Sequence, residues 1–219
     1  MNHLAPPIVA AGLEIENASF AYIDTHAGAR MGYTDEQWPL VRRLVHTSGD
    51  FDFNGLTRFH PQAVAAGRAA LARGCPLVVD VNMIQAGLTL RRLRPLDVHV
   101  HQFNADAEVI RLAVEEQTTR TVQAMRQAWR RGLLDQGVVA IGNAPTALLE
   151  LIRLVTEEGV RPALVIGMPV GFVSAAESKE LLMTLAMPPW IAIQGTKGGS
   201  TLAVAALHAL MDLALESKG

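Results

Sequence analysis

The sequence predicts an α/β fold, a single domain over residues 1–219 with a largely parallel β-sheet flanked by helices. Three observations predict it. Short apolar runs rich in Val, Ile and Ala alternate with longer segments of helical period. The apolar runs lack polar alternation, as strands covered on both faces do. Half of the 219 residues are hydrophobic and 18% are charged, enough for a sizeable core and too apolar for wholesale disorder. No linker, internal repeat or low-complexity tract divides the chain.

The elements follow in order. Strands are expected at 76–82, 98–101, 138–141, 163–167 and 190–194. Helices are expected at 35–45, 61–73, 107–131, 146–158, 175–185 and 199–215. Across 107–131, Val109, Leu112 and Ala113 recur at helical spacing with charges between them. Gly74, Gly132 and Gly159 each follow a helical pattern and read as C-terminal stops. Ser174-Ala-Ala-Glu177 reads as a capping box, in which the Ser accepts an orphan N–H and the Glu reaches back.

Composition excludes several classes. The formal net charge is -2, so no global basic field exists to hold a nucleic-acid backbone. Aromatics are 5% of the chain, and Trp38, Trp129 and Trp190 form no stacking stripe. The single cysteine, Cys75, rules out an intramolecular disulfide and reads as a small packing residue in a reducing, cytoplasmic setting. The N-terminus has no basic flank and carries an early Pro pair, unlike a signal peptide. The uncharged stretches 162–176 and 181–196 hold Pro and Gly and fall short of a membrane span.

Ligands of open parallel sheets bind beyond the carboxyl ends of the strands. Three expected strands end there in glycine loops, Gly142-Asn-Ala-Pro-Thr146, Gly167-Met-Pro-Val-Gly171 and Gly195-Thr-Lys-Gly-Gly-Ser200. Each leads into a helix N-terminus, which suits an anion, and Lys197 adds a point charge. The same loops also read as ordinary strand-to-helix turns. Lys197 precedes its glycines, so the last loop is no P-loop, and GxGxxG, GxSxG and HExxH are absent.

A second cluster is Arg42-Arg43-Leu-Val-His46-Thr-Ser-Gly-Asp50-Phe-Asp-Phe53. Arg43 and His46 share a helix face, and Gly49 ends the helix just beyond. An imidazole there meets the negative end of the helix, and Asp50 or Asp52 is positioned to orient it. His46 thus reads either as a proton donor and acceptor beside a cation or as a helix-capping histidine. His99 and His101 share a strand face without a third ligand, so no metal site is expected. His60 begins a helix, His208 packs in an apolar one, and His3 and His26 fall in loops. Thr118-Thr119-Arg120-Thr121 lies inside the long helix, with Arg120 either an anion ligand or a surface residue. Glu177 is assigned to the cap.

Taken together these segments resemble the precorrin-8X methylmutase family over almost the full length. The resemblance runs through Ile15-Glu16 with Ser19-Phe20, Arg43 to Phe53, Val79-Asp80-Val-Asn-Met83 with Gly87, and Thr119-Arg120. It continues through Ala140 to Thr146, Gly167 to Phe172, Ala176 to Glu180 and Lys197 to Ser200. It implies an isomerase of cobalamin biosynthesis that moves a methyl group from C-11 to C-12 of a tetrapyrrole, precorrin-8X or its cobalt-containing analogue. It further implies no separate cofactor and a homodimer with active sites near the subunit interface. By the same resemblance His46 is catalytic, and Ser19 and Arg43 match the family's serine and arginine at the substrate. Arg43, Arg120 and Lys197 are the cations expected at its carboxylates, and Thr119, Gly198 and Ser200 are expected to contact it as well. The chain departs from the family pattern at Ala18 and Thr196, where the family has Arg, and at Ser174, where it often has Gly.

The residues fit that chemistry. A methyl shift around a conjugated ring needs the ring held and its electrons biased by a proton, and a substrate rich in carboxylates needs cations. Two other readings remain at this level. One is a carrier that sequesters a corrin intermediate without turnover. The other is a nucleotide- or phosphosugar-binding enzyme built on the glycine loops, against which the missing phosphate motifs stand.

Overall fold

The computed structural model describes residues 7–218. Its strands are β1 (Thr57–Phe59), β2 (Leu77–Val79), β3 (Val100–His101), β4 (Val138–Ile141), β5 (Leu164–Gly167) and β6 (Trp190–Ile193). The helices that precede β3 are α1 (Pro7–His26), α2 (Trp38–Ser48), α3 (Phe53–Leu56), α4 (Ala63–Ala72), α5 (Asn82–Gly87) and α6 (Leu90–Leu96). Those that follow it are α7 (Ala107–Glu115), α8 (Arg120–Arg130), α9 (Pro145–Glu157), α10 (Ala175–Met183) and α11 (Ser200–Glu216). The sheet runs β1-β6-β5-β4-β2-β3, parallel throughout except for β1, which pairs antiparallel with β6 at one edge.

Each strand interior alternates between two cores, as the period-two pleat requires. Leu77, Val79, Val138, Ala140, Leu164, Ile166, Ile191 and Ile193 face a layer built from α2, α4, α5, α6 and α11. Val78, Val139, Ile141, Val165 and Ala192 face the layer of α7, α8, α9 and α10. This double burial is why the strands read as unbroken apolar runs. The chain leaves β2 toward the first layer and β4 toward the second, so the sheet's switch point lies between these neighbours.

Several expectations need correction. The helix expected over 107–131 is two helices. Gln117 takes a left-handed backbone (φ 52°), and Thr119 caps α8 by accepting from Val122 N–H at 3.2 Å. Thr119 and Arg120 therefore open a helix rather than sit within one. The capping box does not form, because Ser174 is itself left-handed (φ 60°) and its hydroxyl makes no cap bond. A serine caps from an extended backbone, which this turn does not supply. That conformation suits glycine, the residue the family pattern often has here.

His26 ends α1 rather than lying in a loop, and His60 precedes α4 in a turn with its ring on the Ala186 carbonyl. The helices α1, α3, α5 and α6 and the strand β1 were not anticipated. Three of those helices span four to seven residues, too short to show a period. The longer α1 opens at Pro7, and Pro is well placed at a helix start. The three helix-stop glycines all adopt positive φ, as expected. Cys75 is buried and unpaired, and burial pushes its thiol up. His3 lies outside the described residues. Among the described residues no helix is long and apolar enough to cross a membrane.

Candidate active site

Helix α2 begins at Trp38-Pro39 and buries Leu40, Val41, Leu44 and Val45. Gly49, left-handed at φ 66°, ends it by donating its N–H to Val45 O. The opposite face carries His46 with Arg42 and Arg43 one turn before it, and α1 lies across it. His46 Nδ1 is 2.8 Å from Ser19 Oγ, and the Phe20 ring meets the imidazole edge-on at 5.1 Å. Nε2 has no hydrogen-bond partner among the described residues. The serine contact fixes which ring nitrogen faces inward and leaves the other able to give or take a proton.

Arg43 is tied down on both sides. It donates to Glu16 Oε1 at 2.9 Å and to Asp212 Oδ2 at 3.3 Å, while Arg92 clamps the same Asp212 with two bonds. Arg42 holds Asp24 at 2.8 Å and covers the Phe20 ring. A cavity of about 490 Å³ opens beside these groups, bordered by Phe20, Arg42, Arg43, Arg91, Arg92 and Asp212. A smaller one of about 260 Å³ runs past Arg43, Thr47, Met83, Thr201 and His208. His208 Nε2 is buried without a partner, and burial with Arg92 and Arg43 nearby lowers its pKa to about 4. It stays neutral at pH 7, as a packed histidine should.

The glycine loops do less for a ligand than their sequence suggests. Asp80, fully buried after β2, accepts from the N–H groups of Gly142, Asn143 and Ala144 at 2.8–3.0 Å. The anion at this switch point is the protein's own. Burial pushes the Asp80 carboxyl up against the opposing pull of those three donors. Gly142 and Gly198 serve backbone packing. A Cβ on Gly142 would lie 2.7 Å from Ser200 Cα, and one on Gly198 would lie 2.3 Å from Met168 O.

Lys197 does not stand free. Its ammonium donates to Asp50 Oδ2 at 2.5 Å and Asp52 Oδ2 at 2.6 Å, which raises its pKa and lowers that of Asp50. The two aspartates therefore hold Lys197, and Ser19 rather than either of them orients His46. Asp50 follows the end of α2, so the 195–200 loop is fastened to the turn that leaves this helix. Ser200 opens α11 and is buried.

Thr119 and Arg120 sit in the other layer. The hydroxyls of Thr119, Thr121 and Thr146 form a triangle with sides of 3.0–3.1 Å where α8 and α9 begin. Arg120 is exposed there and makes no ion pair among the described residues. They lie on the opposite face of the sheet from His46, and no contact among the described residues joins the two groups. His99 and His101 lie at the β3 edge, and no group of three metal-ligating side chains occurs among the described residues.

The sequence and the fold match known proteins closely. The precorrin-8X methylmutase family model matches residues 14–213. The chain belongs to that family. It is 45% identical over 205 residues to a cobalt-precorrin-8 methylmutase of Leptospira interrogans, covering 91% of this chain and 93% of the relative. It is 40% identical over 200 residues to a precorrin-8X methylmutase of Pseudomonas aeruginosa, covering 91% and 94%. Among solved structures it superposes on the precorrin-8X methyl mutase of Thermus thermophilus with a TM-score of 0.87 and 47% identity, over 93% of this chain and 97% of that one. The chain is thus a methylmutase, an isomerase of cobalamin biosynthesis.

Several residues of the site lay outside the sequence reading. Glu16 and Asp212 lie 27 and 169 positions from Arg43, and only packing brings them to it. Asp80, in contrast, directly follows a strand and precedes a helix, a position from which its role could have been read.

Proposed function

We propose that this methylmutase moves a methyl group from C-11 to C-12 of precorrin-8X or its cobalt-containing counterpart, with His46 as proton donor and acceptor. The observation that carries this reading is the Ser19–His46 contact at 2.8 Å. When the imidazole is charged, Nδ1–H donates to Ser19 Oγ, and Nε2–H is left to face the substrate. That proton passes to a ring nitrogen beside the migrating methyl and withdraws electron density from the receiving carbon, the C-11–methyl bond breaks as the C-12–methyl bond forms, and the proton then returns to Nε2. General acid–base help of this kind is worth roughly 10²–10⁴-fold.

The macrocycle's acetate and propionate groups call for cations. Arg43 has five N–H donors, of which the described contacts engage two, and Arg91 and Arg92 border the same cavity. Lys197 has three N–H donors, of which the described contacts engage two, so one is left for a substrate carboxylate. Asp52, with its side chain 68% exposed against 33% for Asp50, is the weaker tie. Gly198 and Ser200 shape the loop beside it. Thr119 and Arg120, on the far face, serve a site completed by a second copy of the chain. Exposed Val170, Phe172 and Val173 on the loop after β5 support such a homodimer, since an apolar loop of this kind gains by being covered.

The test is a visible-absorption assay with precorrin-8X and with cobalt-precorrin-8, wild type beside His46→Ala. We expect the product spectrum with wild type, and tight binding but at least about 10²-fold slower turnover with the variant. Full activity in His46→Ala would overturn the role of the histidine. Binding without turnover in the wild type, for both substrates, would leave a carrier.

A further inference from the structure

Lys179 is the largest of the fully buried side chains, on α10 beneath the sheet's C-terminal edge. No carboxylate lies within ion-pair distance of it among the described residues. Burial alone lowers its pKa to about 8. A buried, unpaired ammonium costs free energy that an apolar chain of the same length would not. Folding therefore gives no reason for a lysine here. Nor does covalent chemistry, because a fully buried amine has no route to a substrate carbon.

Its one hydrogen bond supplies the reason. Nζ donates to the backbone carbonyl of Lys197 at 2.7 Å. That carbonyl sits mid-way along the loop between β6 and α11. On either side of it the loop is stitched to the preceding glycine loop, by Gly171 N–H to Thr196 O at 3.2 Å and Gly199 N–H to Met168 O at 2.8 Å. From the same residue the Lys197 side chain crosses to Asp50 and Asp52, in the turn that follows α2 and its His46. The ammonium of one lysine thus grips the backbone of the other.

We propose that Lys179 is a positioning residue for the methyl shift, holding the Lys197 carbonyl so that the loop presents the Lys197 ammonium at the edge of the site beside His46. The inference rests on the reading of Lys197 as a substrate contact. It assigns Lys179 no contact with substrate and no part in proton transfer. Its effect belongs in binding more than in the chemical step, and it disappears when Lys197 has no ammonium to present.

The experiment is a double-mutant cycle with Lys179→Met, Lys197→Met and the double variant, read by KM, kcat, product affinity and thermal midpoint. Methionine keeps the length of the buried chain and removes the donor. We expect Lys179→Met to melt no lower than wild type while KM rises about tenfold, the scale of one lost hydrogen bond, with kcat changed less. We expect the double variant to bind no worse than Lys197→Met, since positions acting through one another do not add. Lys179→Gln, which restores a neutral donor, should recover part of the affinity and serves if the methionine variant fails to fold. Lys179→Met indistinguishable from wild type beside an impaired Lys197→Met overturns the proposal, as do effects that multiply in the double variant. A Lys197→Met enzyme that matches wild type overturns the reading of Lys197 instead, and the relay with it.

Discussion

Ser19 and His46 are 27 residues apart and meet at 2.8 Å. The contact decides how the imidazole presents itself, because a partner on Nδ1 orients the ring about a fixed axis. Ser19→Ala should therefore leave the fold intact, Ser19 being only half-buried, and lower kcat by about tenfold through loss of orientation. Steady-state kinetics beside a binding titration checks this, and a variant with altered KM alone would count against it. His208 makes a different residue-scale prediction. Its folded pKa of about 4 lies below the ordinary 6.5, so the fold refuses a proton that the unfolded chain accepts. That refusal costs nothing above pH 6.5. As pH falls through 6.5 toward 4, the unfolded state gains protons and stability is lost, by about 1–2 kcal/mol at pH 5. Urea unfolding of wild type and His208→Leu at pH 7 and pH 5 measures it, and the variant should lose less.

At the scale of elements, the loops after β4, β5 and β6 form one backbone-to-backbone assembly, and their glycines serve that assembly. Gly142→Ala sets a Cβ 2.7 Å from Ser200 Cα and 3.0 Å from Ser200 N. Both are main-chain atoms at the start of α11, so nothing flexible can yield. We expect a loss of about 1–3 kcal/mol in stability with weakened substrate binding, read from a chemical denaturation midpoint and a titration. The strand-to-helix rhythm was legible because β2, β4, β5 and β6 are buried on both faces and so are uniformly apolar. The break between α7 and α8 was not. Its cause is a left-handed Gln117 followed by a threonine cap, and helical periodicity on either side hides so local an interruption.

At the scale of the molecule, one chain leaves the residues proposed for the site divided between the two faces of its sheet. His46, Ser19 and Arg43 lie on one face, and Thr119 and Arg120 lie on the other. The homodimer proposal joins them, and Phe172, 94% exposed, is the side chain with most to gain from it. We expect sedimentation to give twice the 23.6 kDa chain mass, and Phe172→Asp to shift the protein toward monomer with loss of turnover. A fully active monomer would overturn the shared site.

The sequence by itself determined the fold class, the parallel strands, the end of α2 beside His46 and the family. Each of these rests on a local signal, whether an apolar run, a positive-φ glycine or a motif in fixed order. Only the tertiary structure decided what the charges do. Asp50 and Asp52, expected near the imidazole, hold Lys197. Asp80 fills the anion position that the first glycine loop offers, and Arg43 is claimed by Glu16 and Asp212 before any substrate arrives. The physical reason is range. Hydrophobic period and turn chemistry are written within a few neighbouring residues, whereas an ion pair or a buried hydrogen bond depends on groups 27 to 169 positions apart being packed to within 3 Å or so.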